Sequence, residues 1–172
     1  MDIFYTIDEK YLQAVEEYKY GESPKSLQLL NEIIAADPTY ARAFFHLGLI
    51  YYYELKDYQQ AGYCFKTCND LDDRFPDLYE HYIRLLAFLN LERALETIKI
   101  KALNIPGVDY TVIWEIAGKH AEKNKQFCLA RSCYQEAILT AVTTKRVEDL
   151  EESIQRLDGK EQRMAAFRYS VI

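Results

Sequence analysis

The residue types that most often carry chemistry are sparse in this chain, which has three histidines and four cysteines among 172 residues. Cys64 and Cys68 stand one helical turn apart, a spacing that metal ligands can use. No histidine lies beside them on the same predicted helix face, and the spacing of the four cysteines differs from that of zinc modules. We therefore interpret all four, Cys128 and Cys133 included, as small core residues that are kept reduced.

No catalytic arrangement is visible in the sequence either. His46 and His81 fall on the first helices of two neighbouring repeats described below, whereas His120 stands further along the chain. No serine, cysteine or acidic residue has the spacing of a catalytic triad, and no glycine-rich phosphate loop occurs. The sequence therefore predicts a protein that is not an enzyme and that uses no cofactor and no metal.

The charge balance limits the classes of partner. The chain has 27 acidic and 21 basic residues, a net charge of −6, and no block of lysine or arginine. This balance disfavours binding to nucleic acid or to an anionic membrane surface. No apolar stretch approaches the ~20 residues that span a bilayer, and residues 1–5 lack the features of a signal peptide. We expect a cytoplasmic protein that binds neither nucleic acid nor membrane.

The elements that position the side chains are helical. Only 6 glycines and 4 prolines are present, too few for the tight turns of an all-β protein, and apolar residues make up 49% of the chain. Apolar residues recur at helical spacing, for example at Leu27, Leu30, Ile33 and Ile34. The clearest loop is residues 104–107, which contain a Pro-Gly pair.

The same side-chain pattern returns four times at intervals of 33 to 36 residues. Small residues head one apolar stripe in each unit, at Ser26, Ala61, Ala94 and Ala130. Bulky aromatic residues precede them with a similar step, at Tyr11, Phe44, Tyr79 and Trp114. Such a period predicts a stack of equivalent helical hairpins, none of which can bury its apolar face alone.

The second and fourth units resemble the tetratricopeptide repeat, whose pattern is W-x2-L-G-x2-Y followed by A-x3-F-x2-A. The second unit reads Phe44-x2-Leu47-Gly48-x2-Tyr51, then Ala61-x3-Phe65-x2-Cys68. The fourth reads Trp114-x2-Ala117-Gly118-x2-Ala121, then Ala130-x3-Tyr134-x2-Ala137. The first and third units match the pattern only in part. At Gly48 and Gly118 we expect the absence of a side chain to let two helices approach closely.

The resemblance implies an all-α protein, a right-handed α-solenoid of four hairpins with a C-terminal capping helix, that is, an alpha-alpha superhelix. We assign residues 1–158 to one domain, with repeats at about 8–40, 41–75, 76–108 and 109–144 and the capping helix at about 145–158. Gly159 is expected to end that helix. The remaining tail, residues 159–172, is too apolar for a simple solvated end.

In tetratricopeptide proteins the first helix of each repeat lines a concave groove that holds a partner segment. Carried over to this chain, the resemblance implies partner-binding residues at Arg42, Phe45, Leu49, Tyr52, Glu80, Arg84, Glu115 and Lys119. The predicted hot spot consists of Phe45, Tyr52 and Tyr53 beside Arg42, because such residue types dominate interface energetics. The alternative is that some of these side chains pack under the acidic segment of residues 70–73 or under the C-terminal tail.

One subset of the family grips a C-terminal carboxylate with lysine, asparagine and arginine side chains at fixed positions in the groove. The corresponding positions here hold Leu12, Glu16, His46, Asp77 and His81. The resemblance therefore does not extend to that mode of binding.

Three functions fit these observations. The first is a non-enzymatic scaffold or adaptor that binds a peptide or a segment of a partner protein in the groove. The second is a small acidic chaperone for a secreted or aggregation-prone client. The third is a self-associating module whose apolar tail occupies a groove, including a homodimer formed through the tail.

Overall fold

The computed structural model describes the backbone of residues 6–169 and the side chains of residues 6–166. This part of the chain is helical with short connections and has no β-strand. Residues 1–5, on which the signal-peptide expectation rests, and residues 170–172, the last of the predicted tail, lie outside it. The chain divides into two compact units, Met1–Leu85 and Leu86–Ile172.

The first unit is built from antiparallel helix pairs. Helix α1 (Ile7–Tyr20) packs against α2 (Ser23–Ala36), and α3 (Ala41–Leu49) packs against α4 (Tyr58–Leu71). Helix α5 (Pro76–Phe88) follows, and the division between the two units falls inside it. The apolar core of α1 to α4 includes Ala14, Leu30, Ile33, Leu47 and Cys64.

The second unit continues from the end of α5. Helix α6 (Glu92–Ala102) packs against α7 (Tyr110–Lys123), which pairs closely with α8 (Phe127–Thr140). Helix α9 (Thr144–Tyr169) then packs along α8. Its buried Leu150 and Leu157 join Ala121, Ala130 and Tyr134 in one core.

Side chains of Thr6, Asp57 and Asp109 cap the N-termini of α1, α4 and α7. The side chain of Asp57 caps α4 by accepting a hydrogen bond from the backbone N–H of Gln60 at 3.0 Å. Asn90 is not the N-cap of α6, because Leu91 occupies that position. Asn90 instead adopts the left-handed conformation, with φ 57°, and its side chain pairs with that of Asn124.

Two glycines allow close contact inside the helical hairpins. A Cβ at Gly48 would lie 2.4 Å from Cε1 of Phe65, and one at Gly118 would lie 2.7 Å from Cε1 of Tyr134. Both rings are fully buried. The expectation that these glycines permit a close approach is confirmed, and the aromatic side chain of the partner helix fills the space.

Helix α3 does not stop at Leu49 but continues as a π-helix over Ile50–Leu55, which we call the π segment. Lys56 ends it in the left-handed conformation, and the N–H of Asp57 donates to the carbonyl oxygen of Tyr51 at 2.9 Å. No pattern in the sequence predicts this segment. Turns of π-helix are rare and are often found at functional sites.

The expectation that the last helix ends at Gly159 is wrong, because α9 runs through this residue to Tyr169. Ion pairs on both sides of the glycine hold the helix in place. Arg131 of α8 contacts Asp158 at 2.5 Å and Glu161 at 2.6 Å. A glycine in a helix costs only about 1 kcal/mol relative to alanine, which these contacts can offset.

Three of the four cysteines are buried, as expected for core residues, but Cys128 is exposed. The prediction for Cys128 is wrong because it stands two residues before buried Ala130, which at about 100° per residue places it on the opposite face of α8. Burial raises the pKa of the Cys64 and Cys68 thiols to about 12. These two thiols therefore stay protonated and unreactive at neutral pH.

Candidate functional site

A continuous chain of ring contacts crosses the first unit, and we call it the aromatic wall. It links α1, α3, α5 and the π segment through Tyr18, His46, Phe45, His81, Tyr53 and Tyr52, in that order. Neighbouring ring centroids along it are 4.6 to 6.1 Å apart. Aromatic pairs attract one another in this range of distances.

Phe45 lies at the centre of the wall and is only 5% exposed. Its ring centroid is 5.0 Å from that of Phe75, 5.1 Å from that of His46 and 5.8 Å from that of His81. Leu49, one helical turn further along α3, is buried as well. These two predicted binding residues are therefore packed beneath the exposed rings of the wall and offer little surface to a partner.

Each histidine of the wall is paired with a tyrosine hydroxyl. Nδ1 of His46 lies 3.0 Å from the hydroxyl oxygen of Tyr11, and Nδ1 of His81 lies 2.8 Å from that of Tyr53. Burial lowers the pKa of both imidazoles below the usual range. Burial also raises the pKa of Tyr11 to about 12. At neutral pH the wall is therefore held by neutral imidazoles and protonated phenols.

We expect the stability of the first unit to fall between pH 7 and pH 5. The folded state lowers the pKa of His46 and His81, so below the unfolded value of about 6.5 the unfolded chain binds protons more readily. Thermal unfolding midpoints across this pH range measure the effect. The double variant His46→Gln, His81→Gln should show a flatter profile than the natural chain, and parallel profiles would contradict the assignment.

The outer edge of the wall is accessible. Tyr53 is 39% exposed, and Tyr52 beside it is partly buried. Arg84 of α5 donates to the carboxylate of Glu80 through Nε at 3.1 Å and Nη2 at 2.8 Å. Arg42, near the start of α3, is exposed. The assignment of these side chains to partner binding stays a prediction.

The repeat pattern places His46 and His81 at groove positions but gives no indication of Tyr18, and none of the three is among the predicted partner-binding residues. One signal in the sequence does relate the two histidines. His46 and His81 are 35 residues apart, one repeat length, and each follows the bulky aromatic residue of its unit by two positions. In the structure, the imidazole at this position contacts a tyrosine hydroxyl from another helical segment.

The other two predicted binding residues lie in the second unit, on α7. Glu115 and Lys119 form an ion pair one turn apart. Glu115 is also 3.8 Å from Arg146 of α9, which donates to Asp109 at 3.0 Å. Their charges are thus compensated within the second unit, and their role toward a partner stays a prediction.

A buried carboxylate at Glu122 joins α7, α8 and α9, and we call its surroundings the Glu122 cluster. Arg156 donates to both oxygens at 3.0 and 2.9 Å, Lys160 donates at 2.7 Å, and the hydroxyl of Tyr134 donates at 2.7 Å. The hydrogen bonds, first of all from Arg156, lower the pKa of Glu122 to about 2 against the opposing effect of burial. This arrangement fixes α9 on the α7–α8 hairpin.

Solved structures share this arrangement of helices. The crystal structure of PilW, a widely conserved type IV pilus biogenesis factor, is 17% identical with a TM-score of 0.67, and the match covers 91% of this chain and 80% of PilW. The crystal structure of MamA is 14% identical with a TM-score of 0.66, and the match covers 95% of this chain and 99% of MamA. Both are tetratricopeptide-repeat proteins. This chain has the tetratricopeptide-repeat fold.

The prediction of an all-α solenoid of tetratricopeptide type is therefore confirmed at the level of the fold. No family model and no curated protein matches the chain. The division into one domain of residues 1–158 and a separate tail stays a prediction. In the tetratricopeptide-repeat fold found here, the glycines at 48 and 118 and the rings that face them are scaffold contacts.

Two further findings concern the described residues only. Among them, no three histidine, cysteine, aspartate or glutamate side chains come together as a possible metal site. Within residues 6–169, no helix combines the length and the apolar character that crossing a bilayer requires.

Proposed function

We propose that this protein is a non-enzymatic adaptor that binds a peptide or a segment of a partner protein along the outer edge of the aromatic wall. The observation that carries the proposal is the pair Tyr52 and Tyr53, whose ring centroids are 4.6 Å apart on the π segment. Tyrosine is enriched in interface hot spots because its large ring offers contact area and its hydroxyl a hydrogen bond.

The surroundings of this pair support it as a preorganised surface. The hydroxyl of Tyr53 is held by His81, and the guanidinium of Arg84 is held by Glu80. Side chains that are ordered before binding lose less conformational freedom when a partner arrives. In this proposal Tyr52, Tyr53, Arg84, Glu80 and Arg42 contact the partner, whereas Phe45 and Leu49 hold the surface in shape.

The distribution of charge favours a partner that carries basic residues. Residues 1–85 contain 15 acidic and 8 basic residues, a net charge of −7, whereas residues 86–172 contain 12 and 13, a net charge of +1. Such a field attracts basic segments and speeds their association at low ionic strength. Glu115 and Lys119 of the second unit form an ion pair with no net charge.

We expect the double variant Tyr52→Ala, Tyr53→Ala to weaken partner binding about 30-fold, because a hot spot contributes about 2 kcal/mol or more. The partner is first isolated by co-purification from native cells, and its affinity is then measured by calorimetry. Tyr63→Ala serves as the matched control, because Tyr63 is a tyrosine on α4 that is 61% exposed. Equal affinities of the double variant and the control would overturn the proposal.

A second candidate is the chaperone or assembly role, and the likeness to PilW, a pilus biogenesis factor, favours it. A chaperone should increase the soluble yield of one co-expressed client, whereas an adaptor should not. Self-association through the tail is the third candidate. Light scattering tests it on a chain that ends after Arg163, since this cut keeps the ion pairs of Lys160 and Glu161.

A further inference from the structure

The second unit contains a cleft of about 310 Å³ between α6, α7 and α8 that the proposed function does not use. Much of its lining is apolar, with Leu95, Ala117, Ala121, Leu129 and Cys133 contributing to it. Leu129 is 50% exposed at the opening, which leaves an apolar side chain in contact with water. Small-molecule sites begin at about this volume and combine apolar walls with a few polar groups.

Lys99 is the polar group that distinguishes this cleft. Its side chain lines the cleft and is only 8% exposed. Its ammonium lies 2.8 Å from the carboxylate of Glu96 and 4.9 Å from the ring centroid of Trp114. Lysine is almost never buried unless it is paired, so this ammonium requires an anion beside it.

The carboxylate that now pairs with Lys99 can be replaced by another anion. Glu96 is 56% exposed, so water can hydrate its carboxylate if another anion takes its place. The other polar groups of the cleft are Arg93, which is exposed, and side chains that have their own hydrogen-bond partners. Glu92 accepts a hydrogen bond from Gln126 at 2.9 Å, and Nε2 of His120 lies 3.1 Å from the amide nitrogen of Asn124.

We propose that this cleft binds a small apolar carboxylate, of the kind that a medium-chain fatty acid provides. The hydrocarbon chain of the ligand lies against Leu95, Leu129 and the alanines of α7, where it is removed from water. The carboxylate takes the place of Glu96 on Lys99, in surroundings of low dielectric where an ion pair is strong. An alcohol of the same length lacks the charge, and an amine is repelled by Lys99.

Decanoate is the probe, with decanol and decylamine as matched compounds of equal chain length. Trp114 is the only tryptophan of the chain and lies beside Lys99, so its fluorescence reports on the cleft. We expect saturable binding of decanoate at least tenfold tighter than binding of decanol, and no binding of decylamine at this site.

Two variants should change the affinity for decanoate in opposite directions. Glu96→Gln frees Lys99 and should tighten decanoate binding several-fold, whereas Lys99→Met should weaken it at least tenfold. Lys123→Met, an exposed lysine at the end of α7, is the control and should leave the affinity unchanged. If Lys99→Met does not fold, Leu129→Glu replaces it, since a carboxylate at the opening repels decanoate.

Several results would overturn the proposal. They are an absence of saturable decanoate binding, equal affinities for decanoate and decanol, or an unchanged affinity in Glu96→Gln. Equal affinities would show a cleft that merely shelters apolar chains. None of these outcomes bears on the aromatic wall, whose own test uses Tyr52 and Tyr53.

Discussion

Gly48→Ala is expected to destabilise the protein by about 1–3 kcal/mol, although alanine is the better helix former by about 1 kcal/mol. The added methyl group would lie 2.4 Å from a ring carbon of Phe65, a fully buried side chain with no room to retreat. The ring or the helix must shift, and the closely packed hairpin resists both. Urea unfolding measures the change in the free energy of unfolding.

The chain provides a matched control at Gly62, which also lies within a helix of the first unit. A Cβ there would meet only Cδ2 of Leu85, at 3.8 Å, an ordinary contact. Gly62→Ala should therefore be neutral or stabilising by up to about 1 kcal/mol. Adding Phe65→Leu to Gly48→Ala should cost less than the sum of the two single changes. A stabilising Gly48→Ala would show that the hairpin is loosely packed.

Glu122→Gln is expected to cost about 2 kcal/mol of stability at pH 7. The lowering of its pKa from 4.5 to about 2 corresponds to at most about 3 kcal/mol. Water reduces this amount, because Arg156 and Lys160 are 46% and 44% exposed. The glutamine keeps the shape of the side chain but removes the charge that holds both cations.

The pH dependence of this effect has a defined sign. The pKa of Glu122 is lower in the folded protein, so its contribution is complete above about pH 4.5 and is lost as the pH falls toward 2. The unfolding temperatures of the natural chain and Glu122→Gln should thus converge on acidification. Glu115→Gln, which breaks a more exposed pair, should cost less than about 1 kcal/mol. A constant difference between pH 3 and pH 7 would contradict the account.

The parts of the fold that the sequence predicts are those that depend on contacts within one hairpin. Gly48 and Gly118 stand in the small-residue position of the repeat pattern, which predicts that the two helices of each hairpin approach closely. That Phe65 and Tyr134 are the rings that meet them is seen only in the structure. The continuation of α9 through Gly159 depends instead on Arg131, 27 and 30 residues before the two acids that it contacts. A local sequence pattern places a helix end at a glycine because the pattern carries no information on contacts with such distant residues.

The candidate site was predictable only in outline. The sequence indicates an aromatic group on the second repeat, but whether Phe45 is exposed depends on Phe75 and His81, which come from beyond the next helix. The π segment changes the hydrogen-bond register by one residue, and helical periodicity carries no sign of it. The cleft beside Lys99 likewise forms only where α6, α7 and α8 pack together, so the sequence does not indicate it.

The exposure of Cys128 has a practical consequence for finding the partner. All four cysteines lie in the described part of the chain, and three of them are buried. A maleimide reagent should therefore modify the native protein at one position, on α8 of the second unit. The natural chain can thus carry a photo-crosslinker or a biotin without any engineered residue.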